Sequence, residues 1–310
     1  MLLVSVVICA HNPRKDFLRR VLEALRAQTL PKEQWELLLI DNASTERLAE
    51  TTELAWHPAG RVVREETVGL TPARLKGIHE AKSDLLVFVD DDNALAADYL
   101  EHALRLSRDW PMLGAWGGSA TPSFETKPQS WSEPYLRYLA LREVNEDRWS
   151  NFTDQSNLLP WGAGLCVRRS VANAYARKLA AEPMRLLLDR RGNRLLCGGD
   201  SDLVLSACDL GLGTGLFKAL KLTHLIPARR LTEDYLMKLT EGNMYSDWLF
   251  MAVNGKSPTP PSTIRVIRGH FMALFCGWRC FRFYRAAHRG TKTFFRDFAS
   301  SRLTSTAVQW

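Results

Sequence analysis

The sequence predicts an α/β protein: a mainly parallel sheet flanked by helices, followed by a helical appendage at the C-terminal end. Two observations predict this. Over the first 120 residues, short and nearly continuous apolar runs alternate with stretches whose apolar residues recur at helical spacing. The apolar runs lack the alternation of a strand with one wet face, so both faces of the sheet must be covered, as crossover helices cover parallel strands. A chain of 310 residues, 46% hydrophobic and 24% charged, is long enough to bury such a core.

Residues 2–9 read as a strand and 17–28 as an amphipathic helix, with Phe17, Leu18, Val21, Leu22 and Leu25 as its apolar residues. Residues 35–41 and 61–65 are further strands. A helix over 71–81 places Pro72 in its first turn, where a missing N–H is tolerated. Residues 85–89 form a fourth strand and 98–107 a helix. The stretch 121–160 is rich in Pro, Ser, Trp and charge, and reads as a loop-rich excursion with one short helix at 135–142. Periodicity returns as a strand over 164–168, helices over 171–188 and 200–210, and one or two strands over 216–226. Two helical patterns follow, 233–253 and 264–288, parted by Pro258-Thr259-Pro260-Pro261. The expected organisation is a main domain over 1–257, with halves 1–120 and 121–257, and a basic, aromatic, helical C-terminal segment over 258–310.

The opening run has no basic region before it, and polar His11-Asn12-Pro13-Arg14-Lys15 follows at once, so it reads as a buried strand rather than a signal peptide. No window reaches the roughly 18 apolar residues of a membrane span. A soluble, cytoplasmic protein is expected. Cysteines at 9, 166, 197, 208, 276 and 280 form no Cys-x-x-Cys pair. They read as buried thiols of a reducing compartment, and a zinc site is unsupported.

The net charge of +7 is unevenly spread, and between Arg265 and Arg302 the lone acid is Asp297. Such a segment suits anionic partners: lipid headgroups, nucleic acid or a phosphate-bearing acceptor. Its arginines interleave with Phe271, Phe275, Trp278, Phe281, Phe283 and Tyr284. That pattern suits peripheral contact with anionic membrane, and equally a helix packed on the main domain. No nucleic-acid-binding module is recognisable, so nucleic acid is not an expected partner.

Ligands of parallel sheets sit beyond the carboxyl ends of the strands. Those ends read Ala10-His11-Asn12, Asp41-Asn42 and Asp90-Asp91-Asp92-Asn93. Adjacent carboxylates repel one another unless a cation offsets them. Mg²⁺ or Mn²⁺, held by one or two carboxylates plus substrate phosphates, is one solution; a solvated acidic turn capping the next helix is the other. Asp200 opens a predicted helix after Gly198-Gly199, placed either to act as a general base or simply to cap that helix. Asp202 reads as support for the same turn. His224 and Trp161 each have a structural reading beside the functional one, a satisfied strand histidine and a core indole.

Five segments carry a family resemblance. They are Ser5-Val6-Val7-Ile8-Cys9-Ala10-His11-Asn12, Leu39-Ile40-Asp41-Asn42-Ala43-Ser44, Gly69-Leu70-Thr71-Pro72-Ala73-Arg74-Leu75-Lys76-Gly77, Phe88-Val89-Asp90-Asp91-Asp92-Asn93 and Gly198-Gly199-Asp200-Ser201-Asp202-Leu203. In this order, across residues 3–230, the chain resembles the family 2 glycosyltransferases. The resemblance implies the GT-A fold, with a nucleotide-binding sheet sharing one domain with the acceptor half.

It implies that Asp41 bonds the base, most often uracil, near the backbone of Ala10 and His11. It implies that Asp90 contacts the donor ribose or the metal, with Asp91 beside it, and that Asp92 and His224 ligate Mn²⁺ or Mg²⁺. Arg74 would steady the carboxylates or the diphosphate, Trp161 would stack on the donor sugar or acceptor ring, and Asp200 would be the general base. Leu75 and Gly199 depart from the family pattern, which usually has Asn and Glu there.

The implied activity is metal-dependent transfer of a sugar from a nucleoside-diphosphate donor, a UDP-sugar, to a glycan or lipid-linked acceptor hydroxyl with inversion. Envelope or exported polysaccharide synthesis is the implied setting. The Gln-x-x-Arg-Trp signature of processive synthases is absent, which favours single-sugar transfer. Two alternatives stand beside this reading. One is an inactive nucleotide- or glycan-binding module, which Leu75 and Gly199 keep open. The other is a sugar nucleotidyltransferase, which His11-Asn12-Pro13-Arg14 disfavours because no Gly-rich loop follows the first strand.

Overall fold

The computed structural model describes residues 1–153, 155–190 and 194–300. In chain order its elements are β1 (Val4–Ala10), α1 (Lys15–Arg26), β2 (Trp35–Asn42), α2 (Leu48–Thr51), β3 (Gly60–Glu65), α3 (Leu70–Glu80), β4 (Leu85–Asp90), β5 (Asn93–Leu95) and α4 (Tyr99–Asp109). There follow β6 (Leu113–Phe124), α5 (Glu133–Leu136), β7 (Arg148–Ser150), β8 (Leu165–Arg168), α6 (Arg169–Ala181), α7 (Gly199–Asp209), β9 (Gly213–Ile226), α8 (Glu233–Val253), α9 (Thr263–Phe275) and α10 (Trp278–Ala299). The chain forms two units, one of residues 1–127, 139–178 and 200–227, the other of 128–138, 179–199 and 228–310.

The first unit is built on one nine-stranded sheet, in the order β3-β2-β1-β4-β8-β6-β9-β5 with β7 on β9. The predicted parallel sheet occupies β3, β2, β1 and β4. Beyond β4 the sheet is mixed: β8 is antiparallel to β4 and β6, β6 is parallel to β9, and β5 and β7 are antiparallel to β9. Every residue of β2 is buried, as a strand covered on both faces requires. Phe17, Leu18, Val21 and Leu25 form the buried face of α1. The register pairs Ala10 with Asp41 and Cys9 with Asp90, which sets the three polar strand ends side by side.

One carboxylate lies inside this sheet. Glu36 is fully buried and accepts bonds from the Ser5 hydroxyl (2.7 Å), the Lys82 N–H (2.6 Å) and Arg61 Nη1 (2.7 Å). Such saturation is what allows a charge to remain in a strand interior.

The second unit has its own core of Leu188, Leu196, Tyr245, Leu249, Val253 and Phe294, with α8 packed along α10. The expected boundary at 257/258 lies inside this unit. Among the described residues, no helix is long and apolar enough to cross a membrane.

Several elements differ from expectation for local reasons. The 12-residue β6 runs on to Phe124, into the stretch read as loop, because Thr121, Pro122 and Ser123 give no apolar alternation. It forms a strand because β8 and β9 supply hydrogen-bonding edges on either side. The helix expected over 171–188 ends at Ala181, and a 3₁₀ turn, Pro183–Leu187, follows: a proline cannot donate the helical bond. The helix expected over 264–288 is two, parted at Gly277, whose φ of 105° no helix accommodates. The one expected at 135–142 begins earlier, as α5, and finishes as a 3₁₀ turn, Arg137–Leu139. The six cysteines form no disulfide; Cys166 is buried, but Cys197 and Cys276 are exposed. The end of the expected C-terminal segment, residues 301–310 with Arg302, lies outside the described residues.

Candidate active site

The loops after β1 and β2 are laced together. His11 donates through Nδ1 to the Asn42 carbonyl (2.6 Å), which leaves Nε2 to accept from the Asn12 amide (3.2 Å). Asn12 in turn bonds Ser44 and Thr45 through its N–H and its side-chain oxygen. Ala10 is buried at the end of β1, and His11 is exposed above it.

Asp41 closes the turn after β2. It is 1% exposed, and its carboxylate accepts from the Ser44 N–H (3.1 Å), the Leu48 N–H (3.0 Å) and Arg64 Nη1 (2.8 Å). Burial raises its pKa, but the bonds from Leu48, Ser44 and Arg64 outweigh burial and hold the carboxyl below its usual range. The group the sequence assigns to the base is therefore already bound by three of this protein's own donors.

Replacing Asp41 with Asn is expected to cost about 2–4 kcal/mol at neutral pH, since Arg64 and two N–H groups lose a charged acceptor. A depressed folded pKa means the stabilisation is present above the unfolded value, about 3.9, and is lost as pH falls through the lower folded one. The gap in urea stability between wild type and Asp41→Asn should accordingly be wide at pH 7 and narrow by pH 3. A gap that does not change with pH would remove the charge from the explanation.

The acidic triplet sits where β4 ends and β5 begins. Asn93 binds two of its carboxylates with one amide, donating to Asp90 Oδ2 (3.1 Å) and Asp92 Oδ1 (3.0 Å). Asp91 lies half-buried in the turn between them. The short β5 exists through its pairing with β9, whose register puts Asn93 opposite His224. This pairing brings His224 Nε2 to 3.6 Å from Asp92 Oδ2, both side chains being buried.

The donor set fits a divalent ion. An oxygen and a nitrogen at neighbouring positions of an octahedral ion, each about 2.1 Å from it, stand about 3 Å apart, close to what Asp92 and His224 present. Among the described residues no third His, Cys, Asp or Glu joins them in a metal-holding cluster. Catalytic Mg²⁺ sites of this kind complete their shell with phosphate and water.

Asp200 is held in the first turn of α7 by two N–H groups, Gly162 to Oδ2 (2.9 Å) and Ser201 to Oδ1 (2.8 Å), and stays partly exposed. Gly162 is the joint of the site. A Cβ there would lie 2.6 Å from Arg74 Nη2 and 3.6 Å from Asp200 Oδ2, so glycine lets the buried guanidinium of α3 approach this stretch of backbone beside the aspartate, and a larger residue would push Arg74 aside. Asp202 is fully buried, with Lys178 Nζ at 3.7 Å, in keeping with a supporting role. At Gly199 the side-chain space a glutamate would need is filled by the Asp189 carboxylate, which accounts for that departure from the family pattern.

Trp161 is half-buried, and Arg142 covers its ring at 3.7 Å while donating to the Leu159 carbonyl (2.9 Å). Burial lowers the Arg142 pKa to about 10, against the Asp200 charge, which raises it. Sequence reasoning missed Arg142, Asn93 and Gly162. The last two adjoin motif residues and were there to be read. Arg142 ends a stretch expected to be helical, and nothing in the sequence signals its approach to Trp161.

Solved structures share this fold. S. aureus TarS, residues 1–349, matches over 97% of this chain and 92% of its own, with a TM-score of 0.52 at 12% identity. GalNAc-T7, solved with UDP, GalNAc and Mn²⁺, matches over 98% of this chain and 58% of its own, with a TM-score of 0.56 at 16% identity. The fold is that of the GT-A glycosyltransferases.

The sequence model of glycosyl transferase family 2 matches residues 5–177, more than half of the chain, and the chain belongs to that family. Its relatives include the putative glycosyltransferase EpsH of Bacillus subtilis, 30% identical over 108 residues, or 34% of this chain and 30% of that protein. Glycosyltransferase AglE of Haloferax volcanii is 30% identical over 104 residues, or 33% of this chain and 34% of that one. The chain spans about a third of the length of these curated relatives.

Proposed function

We propose that this protein transfers a single sugar from a nucleoside-diphosphate donor, a UDP-sugar, to the hydroxyl of a glycan or lipid-linked acceptor, with inversion. The observation that carries the reading is the meeting of Asp92 with His224 at one strand edge, in the same unit that holds Asp200 against Gly162. GalNAc-T7 was solved with UDP and Mn²⁺, and TarS residues 1–349 were also solved with UDP-GlcNAc, which supports a UDP-linked donor. A poly(ribitol-phosphate) beta-glucosyltransferase of Bacillus spizizenii, 29% identical over 110 residues, supports an envelope or exported polysaccharide as destination. The reaction belongs on the cytoplasmic side, where nucleotide sugars are the donors.

In this reading the base lies over the ends of β1 and β2. Ala10 and His11 present backbone there, and Asp41 acts by holding the turn rather than by reaching the ligand. Asp92 and His224 hold Mn²⁺ or Mg²⁺, with Asp90 and Asp91 toward the ribose and phosphates. When bound, the ion stabilises the negative charge of the leaving diphosphate. Arg74 adds a fixed positive charge beside Gly162, and Trp161 borders the sugar.

Asp200 accepts the proton of the acceptor hydroxyl as its oxygen bonds to the anomeric carbon. The bond from that carbon to the phosphate oxygen breaks, and the diphosphate leaves with the electron pair. One base and one displacement give inversion.

Calorimetric titration of UDP, GDP, CDP and dTDP, each with and without Mn²⁺, tests the reading. UDP should bind alone among the four, and only in the presence of Mn²⁺. Absence of binding by every nucleotide would overturn it.

A further inference from the structure

Seven large exposed hydrophobic side chains crowd one short stretch of the second unit: Ile264, Ile267, Phe271, Met272, Leu274, Phe275 and Trp278. Helix α9 carries six of them and has no fully buried residue. Among the described residues it packs against α10. Gly269 lies against the Tyr284 hydroxyl of α10, and the His270 ring packs on Tyr284, Phe281 and His288 at centroid distances of 4.9, 5.9 and 5.4 Å. The residues of α9 that face away, 264, 267, 271, 274 and 275, recur at steps of three and four and so make one continuous stripe, and Trp278 stands exposed at the start of α10. Phe275 is 86% exposed, Ile264 80%, Trp278 64% and Phe271 61%. A soluble helix leaves an apolar stripe of that kind uncovered only where something covers it in use.

The rim of the stripe says what that is. Arg265 and Arg268 are exposed on α9 itself, and Arg285 and Lys292 are exposed on α10, where Arg289 is paired with Glu241. From Thr263 to Arg296 the chain contains no acidic residue. An apolar stripe with aromatic residues and a rim of arginines matches the boundary between headgroups and acyl chains of an anionic bilayer, where arginine stems lie along the apolar layer and their heads reach phosphate. A second copy of this chain would set two such basic rims against each other. Spanning is ruled out for α9 by its 13 residues.

We propose that α9 and the start of α10 form a docking surface for anionic phospholipid membranes, with α9 lying in the plane of the interface. The stripe from 264 to 278 enters the acyl boundary, and Arg265 and Arg268 bind lipid phosphate. This inference is independent of the sugar-transfer reading and survives its failure.

The test is co-sedimentation of the full chain with vesicles of phosphatidylcholine, with and without about 30 mol% phosphatidylglycerol. Wild type should sediment with the anionic vesicles and be released by salt. Phe271→Ser, Phe275→Ser and Trp278→Ser combined should weaken binding at least about tenfold. Arg265→Gln with Arg268→Gln should weaken it about fivefold per charge and reduce the preference for anionic lipid accordingly. The arginine pair is exposed and outside any core, so it decides the question even if the serine variant unfolds.

Wild type left in the supernatant with both vesicle types overturns the proposal, as does a folded serine variant that binds like wild type. Sedimentation velocity supplies the remaining outcome. A wild-type dimer that the serine substitutions dissociate, with no vesicle binding, would assign the face to a second copy.

Discussion

Replacing Asp200 with asparagine is expected to lower kcat for sugar transfer by about 10²–10⁴-fold while UDP binding stays as in wild type. An asparagine side-chain oxygen can still accept the Gly162 N–H that Asp200 accepts at 2.9 Å, and it still suits the first turn of a helix. The Ser201 N–H loses its acceptor, so a stability loss of about 1 kcal/mol should accompany the change. It cannot take a proton from a hydroxyl. The effect should therefore fall on kcat, measured by release of UDP in the presence of acceptor, with KM for the donor nearly unchanged. Retention of more than about half of the wild-type kcat would place the base elsewhere. A rise in KM for acceptor alone would make Asp200 a binding residue.

The second large effect belongs to Asp92. Asp92→Asn is expected to abolish Mn²⁺-dependent UDP binding and turnover, with a loss of at least about 100-fold in ion affinity. Asparagine has the size of aspartate and keeps an oxygen for the Asn93 amide, which reaches Asp92 at 3.0 Å, so the fold should persist. What disappears is the negative charge facing His224. Titration of Mn²⁺ into the protein, read by heat rather than by turnover, checks this directly. Undiminished Mn²⁺ binding in the folded variant would remove Asp92 from the ion's ligands. His224→Ala should reproduce the loss in smaller measure, since a neutral imidazole contributes a donor but no charge.

The ease of reading the fold from the sequence varied by element. The ends of α8 match the sequence pattern, because Thr232 caps its first turn and the periodicity runs unbroken to Val253. Strands β2 and β4 were legible because strands buried on both faces must be apolar throughout. β6 was not, since residues 117–123 are small or polar with one proline, and a strand between two neighbours needs no apolar signature of its own. The breaks at Pro183 and Gly277 were visible as residues, but helical spacing on both sides of each masked them.

What the sequence determined by itself was local. Hydrophobic periodicity set the strands, and the connection of parallel strands by helices set their polar ends along one edge, so Asp41 and the 90–92 triplet are candidates on sequence alone. The tertiary structure decided which side chains meet and which remain available. It joined Asp92 to His224 through the pairing of β5 with β9. It set Arg74, Gly162 and Asp200 against one another although they are far apart in the chain, and it laid Arg142 on Trp161. It also closed Asp41 within its own turn. The physical reason is common to all four. Periodicity reports which face of an element is buried, whereas a side chain's partners depend on sheet order and register, which long-range packing sets.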